Sequence, residues 1–189
     1  MRWVFRLKKA RLRMTIRDSR GWLLLLSLIV VVADRVTKWL AATRIELGDH
    51  VVVIPHVFAI SHVENPGAAF SLFNDSSSPA RVRWMLLLFS LLAAVAVLVA
   101  LLKLGRRVTA TTVALALILG GALGNAWDRI RFGYVIDFLE VHIIQYHWPD
   151  FNLADSAIVV GGILLFFDAL FMGKEETPVS EPAIRNHHG

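Results

Sequence analysis

The sequence predicts an all-α membrane protein: four transmembrane helices with a small β-sheet and a loop or short helix on the outer side. Composition points there first, because 56% of the 189 residues are apolar and 19% charged, against about 45–50% and about 25% in ordinary soluble domains. Four runs also approach the roughly 20 apolar residues needed to cross a bilayer core about 30 Å thick. Finally, most basic residues flank those runs. The formal charge of +5 therefore does not form the exposed stripe or groove that would mark a nucleic-acid partner.

The predicted spans are Gly21 to Ala42, Trp84 to Leu102, Thr109 to Trp127 and Ala154 to Met172. The second is the cleanest, with only Ser90 as a polar interruption. The first has a competitor, since a basic segment followed by Trp22 to Ala33 also fits a secretory signal peptide. Against that, Val36, Trp39, Leu40 and Ala41 continue the apolar pattern past Asp34. Asp34 and Lys38 also fall at i and i+4 on one helix face.

Lys and Arg accumulate in cytoplasmic loops. The N-terminal tail holds Arg2, Arg6, Lys8, Lys9, Arg11, Arg13, Arg17 and Arg20, and the second-to-third connection holds Lys103, Arg106 and Arg107. Both termini are thereby assigned to the cytoplasm. The chain divides into a basic tail (1–20), one membrane-embedded unit (21–172) and a polar tail (173–189), the last read as disordered. Between Glu46 and Glu64, short β-branched stretches punctuated by Gly48 and Pro55 favour strands, hence the outer sheet. Ser76 to Pro79 reads as a loop.

Ionisable residues in a span are costly unless paired or facing a wet cavity. Asp34, Lys38, Asn125, Asp128 and Arg129 approach the outer ends of their spans, and Asp155 opens the fourth there. Asp168, near the cytoplasmic end, reads as a capping or snorkelling residue. Gly121, Asn125 and Asp128 share one face of the third helix by their spacing. Close helix packing explains its glycines, and Asn125 fits an interhelical hydrogen bond. Asp128 with Arg129 reads as an interfacial charge pair, and Asp34 with Lys38 as a structural pair that orients a site.

Asp137 differs, because it lies in the apolar segment Tyr134 to Leu139 with no adjacent basic residue. Burial there would raise its pKa; the plainer alternative is a strand-edge residue facing water. Asn152 stands three residues before Asp155, so it can cap the fourth helix while Asp155 sits in the first turn. Brought together, two such aspartates form an acid/base pair that shares a proton and activates water without metal or thiol.

Other chemistries lack their residues. The chain has no cysteine, which removes disulfides and thiolate nucleophiles. No His-Glu-x-x-His occurs, and His142 and His147 are separated by Ile143, Ile144, Gln145 and Tyr146, so no metal and no other cofactor is expected. Ser71 or Ser156 lacks a nucleophile elbow. A proton-coupled transporter also uses buried Asp, Asn and Arg, but near the midplane and on repeated or broken helices. A membrane-anchored interaction protein remains open, and for it the aspartates would be replaceable.

Five segments carry a family resemblance: Asp34-Arg35-Val36-Thr37-Lys38, Asn65-Pro66-Gly67-Ala68-Ala69-Phe70, Gly124-Asn125-Ala126-Trp127-Asp128-Arg129, Val135-Ile136-Asp137-Phe138 and Phe151-Asn152-Leu153-Ala154-Asp155-Ser156. In this order they resemble the motifs of lipoprotein signal peptidases, the bacterial signal peptidases of type II. Arg35 stands where glutamine is more usual. The resemblance implies an aspartic endopeptidase of the bacterial inner membrane, with its active site toward the periplasm. Its substrates would be prolipoproteins in membrane lipid, cut just before a diacylglyceryl-modified cysteine, and its inhibitor class globomycin. By the same resemblance Asp137 and Asp155 are catalytic. Asn65, Gly67, Asn125, Asp128, Arg129, Asn152 and Ala154 line or support the site, and Asp34 and Lys38 are structural. A lipid-bearing cysteine would hold the scissile bond near the membrane surface, and the loop from Phe138 to Phe151 is expected to cover it, with Trp148 and Pro149 as interfacial anchors.

Overall fold

The computed structural model describes residues 18–67, 79–144 and 146–172. Most of the basic N-terminal tail, Ala68 to Phe70 of the second motif, the loop at Ser76 to Ser78 and the polar C-terminal tail lie outside the described residues. In chain order the elements are α1 (Arg20–Arg44), β1 (His50–Ile54), β2 (Phe58–Asn65), α2 (Pro79–Leu104), α3 (Ala110–Arg131), β3 (Val135–Ile143), β4 (Tyr146–Phe151) and α4 (Leu153–Met172).

Three of the helices are long and apolar enough to cross a membrane: Arg81–Leu104, Ala110–Arg131 and Leu153–Phe171. α1 is equally long, at 25 residues, but carries Asp34, Arg35 and Lys38 in its second half. α3 is the central helix and packs against α1, α2 and α4; its apolar stretch is 61% buried, against 17% for those of α2 and α4. The outward faces of the other three expose Trp22 and Leu28, Trp84 and Phe89, and Phe166 and Phe171. Surfaces this apolar suit hydrocarbon rather than water.

Between helices in lipid, close packing and interhelical hydrogen bonds replace the hydrophobic drive of a soluble core. Leu23 of α1, Ala94 and Leu101 of α2, and Leu115, Ala116, Leu119 and Ala122 of α3 form one buried cluster. Beside it the Ser27 hydroxyl donates to the Ala116 carbonyl at 2.8 Å. Thr109 caps α3 through a reciprocal capping box with Thr112, one residue before the helix begins. Asp168 neither caps nor snorkels alone: it accepts a short hydrogen bond from Thr111, tying the end of α4 to the start of α3.

Gly121 shows how near α3 and α4 approach. A Cβ there would run into the Ala154 backbone carbonyl and would lie 2.8 Å from Ile158 Cγ1. Backbone cannot step aside as a side chain can, so Gly121→Ala is expected to part the two helices at a cost of about 1–3 kcal/mol. Thermal unfolding in detergent measures this as a lowered melting temperature.

All four strands join one antiparallel sheet in the order β1-β2-β3-β4. β1 and β2 come from the β-branched stretch after α1, as expected. The segment from Phe138 to Phe151 is not the covering loop foreseen: β3 and β4 pair there, His142 opposite His147. Residues such as Val141, His142 and Ile143 obey strand alternation, but Trp148-Pro149-Asp150 hides it, since proline is tolerated only at a strand edge.

Candidate active site

The inner end of the sheet meets the C-terminal ends of α1 and α3 and the N-terminus of α4, and the ionisable and amide side chains of the described motif residues gather there. Two connected polar groups result. The first is ionic and fully buried: Asp34, Lys38 and Asp128 are at most 1% exposed. Lys38 Nζ lies 3.0 Å from Asp34 Oδ2 and 2.8 Å from Asp128 Oδ2, and donates to Asn125 Oδ1 at 3.0 Å. Three acceptors match the three donors of an ammonium. Arg35 contacts Asp34 Oδ2 at 3.1 Å and pairs closely with Asp128. Two cations thus face two carboxylates, which is the condition for tolerating buried charge.

Sequence spacing found the pair on α1 but misassigned Asp128. Its carboxylate turns to Lys38 and Arg35, whereas Arg129 donates to the Asn125 carbonyl at 3.4 Å and lines the adjoining cavity. Arg35 was legible only as a departure from a motif; its bridging of α1 to α3 needs the fold. The same anion group also orders backbone: Asp34 Oδ1 accepts from the Ala154 N–H at 3.0 Å, and Asp128 Oδ2 from the Ile136 N–H at 3.4 Å. Ala154 contributes its backbone, which holds the start of α4 against α1.

The second group contains Asp137 and Asp155. Asn152 caps α4 with its Oδ1 accepting from the Asp155 N–H at 2.9 Å, while Asp155 Oδ2 accepts from the Asn152 N–H at 3.2 Å. This reciprocal arrangement is a capping box. It frees Asn152 Nδ2 to donate to Asp137 Oδ1 at 2.7 Å, so one asparagine links both aspartates. Asn125 Nδ2 donates to Asp155 Oδ1 at 2.7 Å, with its own oxygen held by Lys38. The ionic group therefore fixes which way the Asn125 amide points.

Asn65 completes the set from β2, donating to Asp137 Oδ2 at 2.9 Å. Its Oδ1 accepts from the Gly67 N–H at 2.9 Å, leaving the amide nitrogen for the carboxylate. Gly67 has φ 109°, backbone open to glycine and strained for L side chains. Asp137 is 2% exposed, and burial pushes its pKa up to about 6 from 3.8, with the Asp155 charge adding to the rise and Asn65, Asn152 and Lys38 opposing it.

Both carboxylates face a cavity of about 250 Å³ lined by Asn65, Asn125, Arg129, Val135, Asp137, Asp155 and the β4 residues Trp148 to Phe151. Side chains from β2, α3, β3, β4 and α4 thus bring three carboxylates, those of Asp137, Asp150 and Asp155, one guanidinium and two amides to a small space. Such a space can hold an extended peptide backbone and a water, with donors for a carbonyl oxygen and acceptors for protons.

A family model described as Signal peptidase (SPase) II matches residues 26–171. A lipoprotein signal peptidase of Solibacter usitatus is 44% identical over 153 residues, covering 80% of this chain and 92% of the relative. Another, from Pseudomonas putida, is 46% identical over 165 residues, covering 85% and 93%. Among solved structures, a bacterial membrane enzyme superposes with a TM-score of 0.72 at 32% identity, over 85% of this chain and 95% of its own. A second does so with a TM-score of 0.65 at 33% identity, over 82% and 95%.

Proposed function

This chain belongs to the signal peptidase II family, and from that premise we propose that it is an aspartic endopeptidase cutting diacylglyceryl-modified prolipoproteins just before the lipidated cysteine. The observation that carries the reading is the meeting of Asp137 and Asp155 at one cavity, joined through Asn152. In this reading α1 is a fourth span, its charges turned inward to Asp128 and Asn125. The site faces the periplasm, both tails are cytoplasmic, and residues 21–172 form the catalytic unit in the inner membrane.

Charge supports the proton count. The ionic group is balanced by itself and Asp150 is engaged by Ser61 and His147, which leaves Arg129 facing Asp137 and Asp155; one proton on that pair makes the second group neutral. Asp137, whose pKa burial pushes up to about 6, holds the proton and donates it to the scissile carbonyl oxygen as the C=O bond gives way to the tetrahedral intermediate. Asp155, whose oxygens accept from Asn125 and from backbone at the positive end of α4, takes a proton from water as its oxygen attacks the carbonyl carbon. The tetrahedral intermediate collapses as Asp155 returns that proton to the cysteine nitrogen. The C–N bond breaks, and Asp137 recovers its proton from the hydroxyl of the new carboxyl group. Arg129 and Asn65 are placed to hold the peptide, and the ion-paired residues hold the donors.

The experiment follows kcat/KM against pH for a lipidated precursor and its unlipidated counterpart. For the lipidated one kcat/KM is expected to fall above about pH 6, by up to tenfold per pH unit, as Asp137 loses the proton it must donate. Asn65→Ala removes a donor that favours the ionised carboxylate, so its falling limb shifts to higher pH even as its maximum drops. Equal turnover of the two precursors contradicts recognition of the lipid. A limb unmoved by Asn65→Ala contradicts the role of Asp137.

A further inference from the structure

The outer end of the sheet carries a second cluster of ionisable side chains that proteolysis does not use. Glu140 and His142 are two apart on β3 and so share a face, and the strand register sets His147 of β4 directly opposite His142. The β3–β4 pairing brings together two histidines that four residues separate in sequence. His142 Nε2 lies 2.7 Å from Glu140 Oε1, and His147 Nε2 lies 3.5 Å from the same oxygen. One ligand atom from each of the three residues falls within 4.8 Å of the others. The Glu140 side chain is only 12% exposed, while both imidazoles are more than a third exposed, so the carboxylate is anchored and the rings are open to the periplasmic side. Asp150 stands behind them. Its Oδ2 accepts from Ser61 at 3.1 Å, and its Oδ1, buried without a hydrogen bond, lies 3.3 Å from His147 Nε2.

We infer that Glu140, His142 and His147 bind a divalent transition ion, with Zn²⁺ as the type. Two imidazoles and one carboxylate select such an ion over Mg²⁺ and Ca²⁺, which take oxygen ligands. Zinc sits about 2.0–2.2 Å from each donor, so it would replace the direct contact between His142 and Glu140, with water as fourth ligand. Bound there, the ion clamps β4 to β3 beside their turn. It thereby stiffens the strand whose residues Trp148 to Phe151 wall the cavity. Its role is structural, and no hydrolytic step passes through it.

The test uses the full chain in detergent, stripped of metal by a chelator, in a His187→Ala/His188→Ala background because tail histidines bind zinc on their own. Zn²⁺ is titrated against a chromophoric competitor. One ion per chain is expected, with affinity at least tenfold weaker in His142→Ala, in His147→Ala and in Glu140→Gln, and unchanged in Asp137→Asn. Zinc-edge absorption of the loaded parent should show two imidazole ligands. Melting temperatures without metal identify any variant that fails to fold, and the absorption spectrum then decides. Absence of binding to the parent, full affinity in a folded imidazole variant, or a spectrum without imidazole overturns the inference and leaves the cluster as a metal-free ion-pair network.

Discussion

Asp137→Asn and Asp155→Asn are each expected to lower kcat for a diacylglyceryl-modified precursor by at least about 10³-fold while leaving a folded membrane protein. A general acid or base contributes about 10² to 10⁴ in rate, and in the proposed mechanism each aspartate serves in both halves of the turnover. Neither loss has a ready bypass: the third carboxylate at the cavity, Asp150, is engaged by Ser61 at 3.1 Å and lies 3.3 Å from His147, and the Asn, Arg and Trp side chains there exchange no protons near neutral pH. Folding should survive because the substitutions keep the shape and remove charge from a buried place. Asp137→Asn even discards a carboxylate whose pKa burial raises, although one of its two amide donors then meets Asn65 or Asn152 unfavourably. Rate is measured with purified variants of unchanged melting temperature. Near-normal turnover by either contradicts its assignment.

Lys38→Met is expected to have the largest effect on stability, about 3–5 kcal/mol, the range for breaking a buried ion pair by removing one partner. Lys38 is 1% exposed and faces Asp34, Asp128 and Asn125 together, so its loss strands acceptors on both α1 and α3. Arg35 still reaches both carboxylates and partly offsets the loss. Against a total stability of about 5–15 kcal/mol this is a large fraction, and the variant should melt at a much lower temperature. Cleavage should fall as well, because the Asn125 amide loses the contact that aims its nitrogen at Asp155. Lys38→Met with the parent's melting temperature would show that the ionic group does not hold the helices together.

What the sequence made legible follows from periodicity and local chemistry. Apolar runs located the helices to within a few residues, and the spacing of Asn152 and Asp155 foretold the cap that now links the two aspartates. The i, i+4 pair of Asp34 and Lys38 also appears as read. Long-range partners were less accessible. Asp128 was matched with its neighbour Arg129, because nothing local reveals that α1 crosses α3 where Lys38 and Arg35 can claim its carboxylate. The β3–β4 pairing was missed because Pro149 and the polar residues around it look like loop. The same error concealed the Glu140, His142 and His147 cluster, which exists only once the strands are in register. The roles of Asn65 and Asn125 came from family resemblance; the hydrogen bonds now supply a physical reason, since each amide has its oxygen held elsewhere and its nitrogen directed at an aspartate.

The central claim is that Asp137 and Asp155 act as one catalytic unit, and a double-substitution cycle tests it most directly. Single-turnover cleavage of a lipidated precursor is measured for the parent, Asp137→Asn, Asp155→Asn and the double variant. Residues that work as a unit give grossly non-additive losses, so the double variant should be no slower than the slower single one. Losses that multiply, or a single variant that retains the parent's rate, would contradict the account.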